Sequence, residues 1–274
     1  MQAVDRHGAR IPVLGFGTYG MGRADMMRVF PAALKTGFRH VDTAQIYRNE
    51  GEVGECIAAS GIPRAEIFVT TKVWVSNYPP RLFAASVDES LRKLQTDYID
   101  LLLLHWPSGG VPLSDQIGAL NAAVRAGKVR HIGVSNFNRA LMAQAIALSE
   151  TPLVTNQFEY HPYLNQSLLI EAARRAGLAV TAYCGMAVGR VLTDPVLQEI
   201  ASRYGRSIAQ IVLRWLIQQD GVVALSRTTN VGRLAENLAV FDFELEAADA
   251  AAIHALAQPG SRIVNPPGLA PDWD

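Results

Sequence analysis

Four side chains of complementary chemistry stand where apolar runs stop. Asp42 ends the run at 38–41, Tyr47 lies five residues further on, Lys72 follows the run at 67–71, and His105 follows the run at 99–104. A tyrosine titrates near pH 10, too weak an acid to protonate a carbonyl oxygen efficiently near neutrality. A neighbouring ammonium lowers that value by stabilising the phenolate, and a carboxylate behind it keeps the ammonium charged and in place. This set predicts Tyr47 as proton donor, Lys72 as its modulator, Asp42 as the anchor of Lys72, and His105 as the group that orients and polarises a carbonyl. No side chain supplies a hydride, so the site also requires a nicotinamide cofactor. Singly, each residue has a plainer reading: Tyr47 as a loop aromatic, Asp42 as a backbone partner, Lys72 as a snorkelling surface residue, His105 as a satisfied core imidazole. The chemical reading needs a fold that gives them a common address.

The pattern around them supplies such a fold. After a small hairpin turning at His7-Gly8, strand-like runs at 13–16, 38–41, 67–71, 99–104, 131–134, 154–158, 179–183 and 222–225 are each followed by a helical pattern. Eight strand–helix units in one chain predict a single (β/α)8 TIM barrel spanning 1–274, whose active site lies at the carboxyl ends of the strands. Extra helices are expected at 194–204 and at 247–256, with Gly205 separating the former from a helix at 207–219. Pro31 is a candidate kink in the helix over 26–34, and the proline-rich tail ending in Trp273-Asp274 is expected to drape over the active-site face.

Lys plus Arg balances Asp plus Glu at 25 each, which leaves no electrostatic footprint for nucleic acid or an anionic membrane. The richest apolar stretch, 99–106, falls far short of the roughly 20 residues that span a bilayer. Two cysteines, Cys56 and Cys184, are too few for a disulfide framework, and no secretory leader is evident, so a cytoplasmic location is expected. Six histidines without a His-x-His pair or a helical His-Glu-x-x-His argue against a metal-dependent hydrolase, and no metal site is expected.

A decoy lies in Gly15-Phe16-Gly17-Thr18-Tyr19-Gly20, which matches the dinucleotide fingerprint GxGxxG and has Asp42 about 20 residues on. Met21-Gly22-Arg23 delays the helix, and eight units exceed one dinucleotide-binding half-fold. In a barrel these glycines let the first loop pass close to a ligand.

Several of these stretches occur in order along nearly the whole chain: residues 13–18, Asp42-Thr43-Ala44 through Tyr47, Thr71-Lys72-Val73-Trp74, Leu104-His105-Trp106-Pro107, Gly133-Val134-Ser135-Asn136-Phe137, and Asn156-Gln157 with His161-Pro162-Tyr163. Together they resemble the aldo-keto reductase family. The resemblance implies NADPH-dependent reduction of small carbonyls, including methylglyoxal-like dicarbonyls and 2,5-diketo-D-gluconate-like keto acids. It also implies that Ser135, Asn136 and Gln157 hold the nicotinamide carboxamide and that Tyr183 stacks on the nicotinamide; the plainer alternative for Ser135-Asn136 is a helix cap before Leu141.

Two stretches depart from the family pattern. A lysine and serine are usual after the eighth strand, whereas here Arg227 and Thr228 follow Ser226, with Arg233 and Asn237 beyond. A guanidinium still suits a 2'-phosphate, so NADPH is expected, with NADH as a weaker second cofactor. After Tyr183 the chain reads Cys184-Gly185-Met186, where serine and leucine are common; Met186 is carried as a cofactor contact, and Cys184 is expected to be a packed thiol. Tyr19, Trp74 and Trp106 fall at the first, third and fourth strand ends and form, with Trp273, an expected aromatic pocket wall for small carbonyls. A small-molecule substrate and a monomer are expected. The alternative is a cofactor-sensing binding subunit on the same fold.

Overall fold

The computed structural model describes residues 2–107 and 110–274. β1 (Ala3–Arg6) and β2 (Ala9–Pro12) form the antiparallel hairpin, turning through His7 and Gly8 at positive φ. Its Ala9 and Ile11 are fully buried, and it packs across the amino ends of later strands: Arg6 pairs with Asp220 at 3.6 Å, and the Pro12 carbonyl meets His40 Nδ1 at 3.2 Å.

The alternation then runs β3 (Leu14–Gly17), α1 (Arg23–Thr36), β4 (His40–Asp42), α2 (Glu50–Ala59), β5 (Phe68–Val73), α3 (Pro80–Leu94), β6 (Ile99–Leu104), α4 (Leu113–Arg125), β7 (Val129–Ser135), α5 (Arg139–Leu148), β8 (Leu153–Glu159), α6 (Ser167–Arg175) and β9 (Ala179–Tyr183). Two helices, α7 (Pro195–Tyr204) and α8 (Ile208–Ile217), precede β10 (Val222–Ser226), and α9 (Arg233–Leu238) and α10 (Ala247–His254) follow it. The eight parallel strands β3 to β10 close into a barrel in sequence order, with β10 returning to pair with β3. This is the TIM barrel that the alternation predicts, and it disposes of the dinucleotide fingerprint: the glycines at 15, 17 and 20 belong to a barrel strand and its loop.

Every residue of β6 is buried, as a strand covered on both faces requires. Its one charge, Asp100, is neutralised in place by Arg64 Nη2 at 2.7 Å and the Val69 N–H at 3.0 Å. α1 runs unbroken through Pro31 and stops at Gly37, whose φ of 122° lets its N–H reach the Ala33 and Leu34 carbonyls. α8 ends short of the span expected from periodicity and is buried all round, including Arg214, because it lies between the barrel and its neighbouring helices. The helical pattern expected after the eighth strand is α9 followed by a 3-10 turn at Ala239–Phe241. No helix of the described residues is long and apolar enough to cross a membrane.

Candidate active site

Adjacent parallel strands end together, so residues far apart in sequence arrive at one mouth. Gly17 pairs with Asp42 in register, Asp42 with Thr70, Lys72 with Leu103, and Ser135 with Gln157. Lys72 is fully buried, with Nζ donating to Asp42 Oδ1 at 2.6 Å and to the Thr43 carbonyl at 2.8 Å. The second carboxylate oxygen of Asp42 accepts from Gln157 Nε2 at 2.8 Å. Burial pushes the Lys72 pKa down, and Asp42 works against that shift.

The Tyr47 ring lies over this pair, its centroid 5.1 Å from Lys72 Nζ. A 3-10 turn at Gln45–Tyr47 presents it, closed by Arg48 in the left-handed region at φ 57°. Tyr47 makes edge contacts with His105 at 5.7 Å and Tyr19 at 5.1 Å, and His105 makes one with Trp74 at 5.2 Å. The four expected catalytic side chains therefore share an address. One electrostatic expectation needs correcting: Tyr47 is not lowered towards neutrality. Burial raises its pKa well above 10, and the Asp42 charge adds to the rise. His105 is 7% exposed, and burial followed by the Lys72 charge pushes its pKa well below 6.5, leaving it neutral. Its Nδ1 is buried without a hydrogen-bond partner among the described residues. An orphaned N–H costs more than an orphaned lone pair, so the proton belongs on Nε2, where it can be donated.

The next polar layer is knitted to this one. Asn136, at φ 64°, donates through Nδ2 to the His105 carbonyl at 3.0 Å and accepts from the Tyr183 hydroxyl at 2.6 Å. Ser135 Oγ donates to the Gln157 carbonyl at 2.9 Å. Neither Ser135 nor Asn136 caps a helix; that role falls to Asn138, whose side chain accepts from the Leu141 N–H. Cys184 is packed, and burial pushes its thiol up to about 11. Met186 is half-buried. Arg227, from the end of β10, donates to the Gly20 carbonyl at 3.3 Å, and Arg233 opens α9; among the described residues neither has a carboxylate partner. Thr228 bonds within its own turn to Asn230, and Asn237 Nδ2 fixes Ser226 Oγ at 2.8 Å.

Tyr19, 70% exposed, and Trp74 join the ring cluster, whereas Trp106 does not: it is 5% exposed, and its backbone is bonded to the buried Tyr78 hydroxyl. Trp273 sits on the tail, with Arg262 stacked on its ring at 3.5 Å and Asn265 accepting from its N–H.

Sequence reasoning missed the groups that hold these parts. Buried Asn49 ties the loop after β3 to the loop after β4, donating to the Thr18 and Met21 carbonyls and accepting from Thr43 Oγ1 at 2.7 Å. Gln45 accepts from the Trp74 N–H. Glu159 is fully buried at the end of β8 and receives His161 Nε2 at 2.8 Å and the tail N–H groups of Ile263 and Val264 at 2.7 Å each. A buried acid closing an apolar strand was the one available signal; Asn49 and Gln45 gave none.

The sequence model of the Aldo/keto reductase family matches residues 13–258. The chain belongs to the aldo/keto reductase family. It is an oxidoreductase, and its relatives carry enzyme names: it is 41% identical over 267 residues to the methylglyoxal reductase DkgB of Salmonella typhimurium, covering 96% of this chain and 99% of that protein. It is 42% identical over 261 residues to an aldo-keto reductase of Mycobacterium avium, covering 94% and 90%. Among solved structures, a protein described as a candidate 2,5-diketo-D-gluconic acid reductase B superposes with a TM-score of 0.99 at 59% identity, covering 100% of this chain and 98% of that one. The Schistosoma japonicum aldose reductase superposes at 0.86 and 30% identity, covering 95% and 94%. Aldo-keto reductases use nicotinamide cofactors.

Proposed function

We propose that this aldo-keto reductase reduces small aldehydes and ketones to alcohols with NADPH, its substrates being methylglyoxal-like dicarbonyls and 2,5-diketo-D-gluconate-like keto acids. The observation that carries the reading is the fully buried Lys72–Asp42 pair set 5.1 Å beneath the Tyr47 ring, with a neutral His105 against the same ring. NADPH supplies the hydride. Tyr47, a phenol that burial keeps protonated, donates to the carbonyl oxygen as that oxygen gains charge, and Lys72 offsets the phenolate left behind. His105 Nε2–H holds the oxygen in line.

The polar groups around the mouth fit the cofactor. Arg227 and Arg233, without carboxylate partners among the described residues, offer two cations for a 2'-phosphate. Ser135, Asn136 and Gln157 offer amide and hydroxyl groups for the carboxamide, Tyr183 a flat face, and Met186 an apolar neighbour. The Tyr19–Tyr47–His105–Trp74 ring chain favours small carbonyls. Trp106, largely buried beside His105, and Trp273 on the tail extend that aromatic wall.

The test is NADPH oxidation with methylglyoxal and 2,5-diketo-D-gluconate. Tyr47→Phe and Lys72→Met should each lose at least about a hundredfold in kcat. A parent-like rate in Tyr47→Phe would remove Tyr47 from its role, and a parent that binds NADPH without turning over either carbonyl would favour the cofactor-sensing alternative. In the same assay Arg227→Ala should raise KM for NADPH far more than for NADH; equal rises would contradict a 2'-phosphate contact.

A further inference from the structure

Glu50, the first residue of α2, is 2% exposed and has no ion-pair partner among the described residues. Its carboxylate accepts from Thr71 Oγ1 at 2.6 Å. The buried Ser90 hydroxyl of α3, which accepts from Gln45 Nε2 at 3.2 Å, turns its hydrogen to the same carboxylate. The nearby cations are engaged elsewhere: Lys93 of α3 pairs with Glu89 at 3.2 Å, and Arg23 of α1 with Glu52 and Glu55.

A carboxylate in such a place needs a reason. Burial makes its charged form costly, and a glutamine could accept the same Thr71 hydrogen without that cost. Favouring the start of a helix is no reason either, since Glu52 serves the α2 dipole from the same turn nearer the surface. The strand beside it supplies one. Successive side chains of a strand point to opposite faces, so Thr71 of β5 meets Glu50 while Lys72 turns into the barrel towards Asp42. Glu50 thus stands behind Lys72 across the barrel wall. Burial works to strip the proton from Lys72, and the negative charges opposing it are Asp42 and Glu50.

We propose that Glu50 is a positioning residue for the reduction: its carboxylate, fastened to the outer face of β5 through Thr71, adds a second negative charge that keeps Lys72 an ammonium beneath Tyr47. Buried behind the strand, it acts through Lys72 alone. The inference rests on Lys72 as the group that offsets the Tyr47 phenolate, the role that Lys72→Met tests.

Glu50→Gln keeps the oxygen that Thr71 meets and removes the charge. With NADPH and methylglyoxal its kcat should fall about tenfold while KM for the carbonyl stays within about twofold. The high-pH limb of kcat should move to lower pH, because Lys72 loses its proton sooner. Stability should not follow the rate down. Burial lifts the Glu50 carboxyl above its ordinary value, and an acid so raised gives stability below its unfolded pKa that is lost as pH rises through the folded one. At neutral pH the glutamine variant should therefore unfold at a urea concentration no lower than the parent's. Glu50→Asp, which retains the charge, should keep the parent's high-pH limb.

A parent-like kcat and limb in Glu50→Gln, a fall in rate equal at every pH, a lower urea midpoint, a failure to fold, or an aspartate variant with the glutamine variant's limb would each overturn the role and leave Glu50 an anchor between α2 and β5. If Lys72→Met also kept the parent rate, the reading of Lys72 would fail with it; a parent-like Glu50→Gln beside a crippled Lys72→Met removes Glu50 alone.

Discussion

A lysine with no exposed surface is stable only if its charge is answered on the spot. Lys72 has Asp42 and the Thr43 carbonyl, and Asp42 in turn has Gln157. Removing one partner of such a pair strands the other charge in the interior, a change that costs about 3–5 kcal/mol. Asp42→Ala should therefore lower unfolding stability by about that amount, read from urea denaturation at neutral pH, whereas a loss below 1 kcal/mol would mean that the pair is open to water. At this scale the sequence was readable in part. The common placement of Asp42, Tyr47, Lys72 and His105 was legible because three of them close apolar runs, Tyr47 lies in the loop after one, and barrel strands end at one mouth. The attachment of Gln157 to Asp42 was not, because it joins residues 115 apart in sequence and exists only once the barrel has closed.

At the scale of elements, strands were easier to place than helix ends. β6 announces itself as an unbroken apolar run, and Gly37 marks the end of α1 through a backbone angle that few other residues tolerate. Helix–helix contacts leave a fainter trace. Gly54 of α2 lies so close to α3 that a Cβ there would stand 2.4 Å from the Lys93 carbonyl oxygen, a rigid backbone atom. Gly54→Ala, although it raises helix propensity, should destabilise the protein by about 1–3 kcal/mol, seen as a lowered denaturation midpoint. A gain in stability would show that the two helices can separate freely.

At the scale of the molecule, the tail is held over the barrel mouth by a few polar bonds. Burial alone would raise the Glu159 carboxyl pKa, but hydrogen bonds from His161 and from the Ile263 and Val264 N–H groups overcome that and hold it below 4.5. A carboxyl whose folded pKa is depressed stabilises its structure fully above the unfolded value and loses that contribution as pH falls through the folded one. The tail should thus stay docked at neutral pH and loosen below about pH 4, detected as faster cleavage by an acid protease after residue 258 than in the barrel. Glu159→Gln should loosen it already at neutral pH; unchanged resistance in that variant would mean that the ties at its far end, Arg139 to Asp274 and Asn138 Nδ2 to the Asp272 carbonyl, secure it. The sequence suggested where this tail lies but not what fastens it, since Glu159 meets backbone groups more than a hundred residues away.

The hairpin of β1 and β2 makes the two ends of the barrel unequal. Ala9 and Ile11 are fully buried where it caps the amino end of a core already filled by side chains. Damage to that cap is felt as lost stability, while the chemistry is left to the loops at the opposite rim, so one end of the molecule holds the vessel together and the other does its trade.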